Sequence, residues 1–209
     1  MTARWFRPIL CAGLLIGMLV AILGSGPARA QGTTTAWEAV VPDAALCQAQ
    51  PRTVDHLVAL FANATPVAAA DGSDHAMVPT GQTASSVLAA EVTATVHAAF
   101  ACLNSGQWFR FMGLLTDHAI VTAFPWLANE LAMGVVPNEI STPSPLPADL
   151  VQTIIAVADV TTLGNDRVGA FVIFLDPASG NPGPHVLHLV FVRSGSGWLI
   201  DDVVEFSNE

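Results

Sequence analysis

Apolar side chains recur every three or four residues between positions 85 and 103. They are Leu88, Val92, Val96, Phe100 and Leu103. This spacing places them on one side of an α-helix, where they can face a core. The pattern predicts a long helix that starts near Ser85 or Ser86 and ends at the Asn-Ser-Gly sequence of residues 104–106, whose glycine can adopt a positive φ.

Shorter helical patterns lie on both sides of this helix. Residues 53–61 begin with Thr53, a favourable N-cap, and residues 107–115 carry a second apolar face. A further turn is predicted from residue 116. Residues 65–82 contain Pro and Asp-Gly without any period, so they predict an exposed loop.

From residue 149 onward the apolar period changes to two. Four strands are predicted, at residues 152–163, 167–175, 186–193 and 198–206. The second strand is apolar on both faces, so we expect it to be central and covered on both sides. Helices followed by an antiparallel sheet define an α+β fold. Residues 125–148 are expected to form an insertion that caps the mouth of the core, with one helical turn at residues 127–133.

The first thirty residues have the pattern of a secretory signal. Arg4 and Arg7 precede an apolar run at residues 9–23, and Ala28-Arg29-Ala30 offers small residues at the cleavage site. We expect cleavage after Ala30 and a secreted, extracellular protein. The alternative is an uncleaved segment that tethers the chain to a membrane, although a span needs about twenty apolar residues.

The mature chain is strongly acidic and contains no lysine. Residues 31–209 are enough for one domain with a sizeable core. They retain four arginines against all seventeen acidic residues, a formal charge of −13. Such a surface repels phosphate backbones and anionic lipids. Nucleic acid and, after cleavage, membranes are therefore not expected as partners.

Cys47 and Cys102 are the two cysteines of the mature chain. Disulfides persist in an oxidising compartment, so these residues are expected to pair. The bond would close a loop of about 55 residues and stabilise the fold by roughly 4 kcal/mol through chain entropy. A reactive thiol pair or a metal site would need activating neighbours or further ligands, which neither cysteine has beside it.

Three sequence segments together resemble a known family. They are Asn-Ser-Gly at residues 104–106, Leu-Leu-Thr-Asp-His-Ala at 114–119 and Trp-Leu-Ile-Asp-Asp-Val at 198–203. The chain resembles the nuclear-transport-factor-2-like, or polyketide-cyclase-like, superfamily and its secreted bacterial members. The resemblance implies a cone-shaped roll, in which helices at the N-terminal side pack on a strongly curved antiparallel sheet. The chain would then divide into a signal peptide (1–30), an N-terminal extension with a short helix and loop (31–84) and the family domain (85–209), with its insertion at about 125–148.

The resemblance also implies a pocket between the concave sheet face and the helices. Members similar to polyketide cyclases, ketosteroid isomerases and scytalone dehydratase use Asp, His and Tyr there for proton transfer, whereas many others are binding or dimerising domains. Fold alone does not choose between these roles. Because the chain has no tyrosine, it lacks the Tyr-dependent arrangement of the isomerase-like members, although a neutral acid can replace it in principle.

Asp202 is one candidate for this pocket. By alternation it shares a strand face with Trp198 and Ile200, a setting that suits a carboxyl group to acid–base chemistry. The alternative is that the doubled Asp201-Asp202 marks a bulge or the wet end of the strand. In that case Asp202 is bonded to backbone or to an arginine.

His188 is a second candidate. It and His185 point to opposite faces of one strand, so one of them faces inward. Such a histidine is more often hydrogen-bonded or packed in a core than catalytic. The opposite directions of these two histidine side chains and the lack of a third ligand argue against a metal site.

Asp117, His118 and Trp108 complete the pocket candidates. Asp117 and His118 lie where the family's helix-to-strand corner opens on the pocket, although capping of the next turn explains Asp117 without chemistry. Core packing is the simpler role for Trp108. No residue is assigned as catalytic, and no cofactor is expected, because no glycine-rich phosphate loop is visible.

Two functions of different classes follow. The first is a non-catalytic domain that binds a small apolar ligand or a protein partner in or around the pocket. The alternative is a cofactor-free isomerase, cyclase or dehydratase that uses Asp202 with His188 or His118 for proton transfer. A homodimer is a further expectation, since an apolar outer sheet face favours self-association.

Overall fold

A computed structural model of the chain describes residues 39–64, 78–181, 183–195 and 197–206. The predicted signal peptide of residues 1–30 lies outside the described residues. So does most of the loop predicted at residues 65–82.

The described residues form an α+β fold. The helices are α1 (Val54–Asn63), α2 (Ser86–Asn104), α3 (Trp108–Met112), α4 (Asp117–Ala123), α5 (Pro125–Ala132) and α6 (Asn138–Ser141). The strands are β1 (Gln82–Thr83), β2 (Thr153–Gly164), β3 (Arg167–Leu175), β4 (His185–Ser194) and β5 (Gly197–Phe206). They pair antiparallel in the order β1-β2-β3-β4-β5. The predicted fold class and the four predicted strands are confirmed.

Side-chain caps fix the starts of three helices at the predicted positions. The hydroxyl oxygens of Thr53, Ser85 and Thr116 each accept a hydrogen bond from a backbone N–H in the first turn, at 3.1, 3.3 and 3.1 Å. Gly106 follows the end of α2 with φ 65°, and a Cβ there would collide with the carbonyl of Ser144. Glycine is therefore required at this position.

The end of α2 holds two distant parts of the chain. Cys102 forms the predicted disulfide with Cys47, which is thereby confirmed. The side-chain amide of Asn104 donates to the Gln152 carbonyl and accepts from the Gln152 N–H, both at 2.9 Å. These links fix the segment before α1 and the approach to β2 against one helix end.

The core lies between α2 and one face of the sheet, called here the inner face. Val92 and Val96 of α2 are fully buried, as are Ala170 and Val172 of β3 and Phe191 of β4. The rings of Phe100 and Phe174 meet edge to face at 5.1 Å. Leu57 of α1 and Leu127 of α5 join the same core, so the N-terminal segment and the predicted insertion both contribute to it.

β3 is the third of five strands, so its predicted central position is confirmed. Coverage on both sides is not confirmed, because among the described elements α2 and α4 pack on the inner face. On the opposite, outer face, Phe171 and Ile173 of β3 and Val204 of β5 are half-buried. These apolar residues of the outer face are therefore only partly removed from water within the described chain.

A bulge in β5 overturns the predicted alternation of its side chains. Val190 pairs with Asp202 while Phe191 pairs with Ile200, so Asp201 is an extra residue. An extra residue shifts the alternation of the strand. Ile200 consequently lies on the inner face with Phe191, and Asp202 lies on the outer face with Val190. The prediction that Asp202 shares a face with Trp198 and Ile200 was wrong.

One described helix, α2, is long and apolar enough by length and composition to cross a membrane. Buried core helices meet the same criteria, and Val92 and Val96 of α2 are fully buried in this fold. The length and hydropathy of α2 therefore carry little weight as a sign of a membrane span.

Candidate functional site: the groove between α1 and α4

An open groove of about 470 Å³ lies between α1 and α4. It is lined by His56, Ala59, Leu60, Asn63 and Ala64 from the α1 side and by Asp117, His118 and Val121 from α4. Its volume lies within the range of small-molecule sites, about 300–1,000 Å³. We call it the α1–α4 groove.

The helical period explains why these residues meet. Positions 56, 59, 60 and 63 lie three or four apart, so they share one side of α1. Ala59 is too small to fill the space in front of α4. Most of the surface that lines the groove is apolar, and His56, Asn63, Asp117 and His118 contribute its polar groups.

A polar cluster closes one end of the groove. Oδ1 of Asp117 lies 3.1 Å from both Nη2 of Arg52 and Nε2 of His56. Nη1 of Arg52 lies 3.2 Å from the same His56 nitrogen, so the tautomer decides whether Nε2 donates to Asp117 or accepts from Arg52. Arg52 also donates to the backbone carbonyls of Leu115 at 2.8 Å and Met112 at 3.4 Å. This cluster anchors the start of α4 to the start of α1.

Some polar atoms of the groove have no partner among residues 39–64, 78–181, 183–195 and 197–206. Oδ2 of Asp117 and the ring of His118 make no hydrogen bond or ion pair there. The amide nitrogen of Asn63 donates to the Ala59 carbonyl at 2.7 Å, which leaves the amide oxygen open. The groove thus offers hydrogen-bonding atoms to a ligand beside apolar walls.

His188 lies on the outer face of the sheet and is buried, with 1% of its surface exposed. Its ring packs edge-on against Phe171 at 5.0 Å. A Cβ on Gly169 would lie 2.7 Å from its Nε2, so the missing side chain of this glycine makes room for the ring. Burial lowers the pKa of His188, and the nearby Asp202 carboxylate opposes that shift. Its Nδ1 is buried without a hydrogen-bond partner in the described structure.

The two acids of the β5 bulge have separate partners. Oδ1 of Asp201 accepts from the Thr116 hydroxyl at 2.9 Å, and its Oδ2 lies 3.4 Å from Nη2 of Arg167. Oδ1 of Asp202 accepts from the Val203 N–H at 2.9 Å. The interpretation of the doubled acids as a bulge is confirmed, but the arginine belongs to Asp201 and the backbone contact to Asp202.

His185 occupies the inner-face side of β4, opposite to His188. Its ring lies 5.4 Å from that of Phe174, and its Nε2 lies 2.8 Å from the hydroxyl of Ser179. The same hydroxyl is 2.7 Å from the Asp176 carbonyl and accepts from the Asn181 N–H at 3.1 Å. These contacts hold the turn between β3 and β4.

The five predicted pocket residues do not meet at one place. Asp117 and His118 line the α1–α4 groove, whereas Asp202 and His188 lie on the outer sheet face. Trp108 lines a smaller pocket of about 170 Å³ beside Pro51 and Ile140, and its ring packs on Phe111 and Phe124.

Sequence reasoning missed Arg52 and His56, which complete the polar end of the groove. They lie more than sixty residues before Asp117. No local motif signals such a contact. The N-cap at Thr53 predicted only that a helix starts there.

No group of three or more His, Cys, Asp or Glu residues in the described chain is arranged to hold a metal ion. Comparison with protein-family models, with curated proteins and with solved structures finds no match. The function must therefore be argued from the geometry of this chain.

Proposed function

We propose that the chain is a non-catalytic binding domain that takes a small, mostly apolar ligand in the α1–α4 groove. The observation that carries this proposal is the groove itself. Its walls include Ala59, Leu60 and Val121, and Asp117 and His118 add polar groups from α4. Apolar walls with a few convergent polar groups are the usual composition of small-molecule sites.

The arrangement of ionisable groups favours binding over catalysis. The alternative isomerase, cyclase or dehydratase needs Asp202 to act with His188 or His118. His118 lines the groove, while the Asp202 carboxylate lies on the outer sheet face and accepts a backbone hydrogen bond. His188 is near Asp202 but is buried with 1% exposure, which leaves little access for a substrate.

The proposal places this binding domain outside the cell. The signal-like pattern of residues 1–30 and the Cys47–Cys102 disulfide support export, since such bonds persist in oxidising compartments. A chain recovered from culture medium with Gln31 as its first residue is the expected result. A chain that stays in the membrane fraction with residues 1–30 attached would contradict it.

Membership of the nuclear-transport-factor-2-like superfamily, with its cone-shaped roll, is part of the proposal. The long helix α2 under an antiparallel sheet supports it, and so do the Asn-Ser-Gly break and the doubled acids of β5. The ligand site proposed here differs from the family's pocket, because core side chains pack between α2 and the inner sheet face.

A homodimer through the outer sheet face is a second proposal on partners. The half-buried Phe171, Ile173 and Val204 support it, because apolar residues on a sheet face that no described helix covers favour association. Sedimentation of the mature chain tests it. A dimer that Phe171→Glu converts to a monomer is expected, and a monomeric wild type at high concentration would contradict it.

The experiment for the groove uses 1-adamantanol, a compact neutral probe, and a variant that fills the space. Val121 lines the groove, so Val121→Trp should weaken binding of the probe at least tenfold in calorimetric titration. Val58→Trp is the matched control, because Val58 is 42% exposed on the same pair of helices but does not line the groove. The circular dichroism spectra of both variants verify folding.

Binding that survives in Val58→Trp and is lost in Val121→Trp supports the proposal. Equal binding to wild type and Val121→Trp would overturn it, and so would the absence of any binding.

A further inference from the structure

The cationic and anionic groups around the α1–α4 groove differ in whether a ligand can reach them. Arg52 is the cation nearest to the polar end, but its guanidinium is directed at His56, Asp117 and two backbone carbonyls. Its side chain is 23% exposed. No arginine is among the described residues that line the groove, and the chain has no lysine. A ligand anion therefore finds no arginine or lysine in the described walls, although the ring of His118 can donate a hydrogen bond to it.

Besides the ring of His118, the open polar atoms among the described lining residues are acceptors. The Asp117 side chain is 50% exposed, and both of its ion-pair contacts in the described chain use Oδ1. Its Oδ2 therefore remains open. The amide oxygen of Asn63, on the α1 side, also has no hydrogen-bond partner among the described residues, while its amide nitrogen donates to the Ala59 carbonyl.

We infer that the groove selects apolar ligands that carry a protonated amine. This inference rests on the proposed function. The ammonium group donates to Oδ2 of Asp117, and the hydrocarbon part lies against Leu60 and Val121. A charge-assisted hydrogen bond of this kind is stronger than one between neutral groups.

The charge of the whole chain acts in the same direction. The full sequence has a formal charge of −10 at pH 7. A negative field raises the local concentration of cationic ligands and lowers that of anions, most strongly at low ionic strength.

Three probes with the same hydrocarbon cage test the inference: 1-aminoadamantane, 1-adamantanol and adamantane-1-carboxylate. Each is titrated into the mature chain at pH 7 in an isothermal calorimeter. The amine should bind about tenfold more tightly than the alcohol, since one charge-assisted hydrogen bond is gained. The carboxylate should bind more weakly than the alcohol.

Asp117→Asn should remove the advantage of the amine over the alcohol. Asp55→Asn is the matched control, because Asp55 is an exposed acid in the first turn of α1 that does not line the groove. Since Asp117→Asn also weakens the contacts with Arg52 and His56, a second measurement uses the unmodified chain. Its preference for the amine should shrink severalfold between 20 mM and 500 mM salt.

The outcomes separate this inference from the proposed function. Binding of all three probes with equal affinity, or tighter binding of the carboxylate, overturns the preference for amines and leaves the groove as a binding site. Failure of all three probes to bind overturns the proposed function itself. An amine preference that persists in Asp117→Asn and at high salt also contradicts the assignment to Asp117.

Discussion

The space beneath the sheet and the groove between α1 and α4 are both bounded by helices, but only one of them is closed. Beneath the sheet, Phe100, Phe174 and Phe191 fill the volume with aromatic side chains that are at least 93% buried. Between α1 and α4, Ala59 and Ala64 leave the volume open.

This difference separates stability from binding. A closed apolar space removes large areas from water and contributes to the free energy of folding. An open apolar groove leaves its walls in contact with water, so a ligand can bury them instead. The polar groups follow the same division, because Asp117 and His118 are exposed at the groove while the core residues that pack against the inner face are apolar.

Opening the disulfide should have the largest effect on stability. Through its disulfide with Cys102, Cys47 holds the segment before α1 to the end of α2. For a sequence separation of 55 residues, the double variant Cys47→Ala/Cys102→Ala should lose about 4 kcal/mol of unfolding free energy. Urea denaturation measures the loss. A double variant as stable as wild type would show that the disulfide contributes nothing to the free energy of unfolding.

A pair of leucines on α1 compares the two spaces within one helix. Leu57 is buried in the core with 1% exposure, whereas Leu60 is half-buried and lines the groove. Leu57→Ala should cost about 3 kcal/mol through lost burial and a cavity, and Leu60→Ala about half of that or less. Equal costs by urea denaturation would mean that the groove wall is packed as tightly as the core.

His188, buried on the outer sheet face, should make the stability of the fold depend on pH. Burial lowers its pKa in the folded state, so the unfolded state takes up its proton first. This group destabilises the fold as pH falls below about 6.5, and its effect levels off below the folded pKa, with a slope of at most about 1.4 kcal/mol per pH unit.

His188→Leu should flatten stability curves measured between pH 7 and pH 5. His118→Gln, a change at an exposed residue of the groove, is the control and should retain the wild-type slope. An unchanged slope in His188→Leu would show that other groups cause the dependence.

The smallest effect on stability is expected for the side-chain contacts of Glu91. Oε2 of Glu91 accepts from the Trp198 indole at 2.9 Å and lies 3.2 Å from Nη2 of Arg193, which stacks over the same indole at 4.3 Å. Because Glu91 and Arg193 are about 40% exposed, Glu91→Gln should cost less than about 1 kcal/mol. Thermal unfolding at low and high salt measures this cost. A loss of several kcal/mol would place the contact among the main determinants of the fold.

The regular parts of the fold were predictable from sequence because their patterns are local. The strand at residues 167–175 was predicted with its exact bounds, since apolar residues end at recognisable turns on both sides. β1 was missed because two residues show no period. The bulge at Asp201 reversed the face of Asp202, and a single extra residue leaves no mark in the alternation that precedes it.

The candidate site was predictable only in part. Asp117 and His118 were singled out because the family resemblance places its helix-to-strand corner, which opens on the pocket, at these positions. Their partners His56 and Arg52 could not be found, because the contact joins residues that only the tertiary fold brings together. The open space itself depends on the separation of two helices, which neither period nor capping determines.

The central claim, that an apolar ligand binds between α1 and α4 and not beneath the sheet, can be tested by locating a bound probe. Intermolecular nuclear Overhauser effects from 1-adamantanol to methyl groups of the mature chain provide the location. We predict contacts with the methyls of Leu60 and Val121. Contacts with Val172 and Ile200, which lie buried on the inner sheet face, would contradict the account.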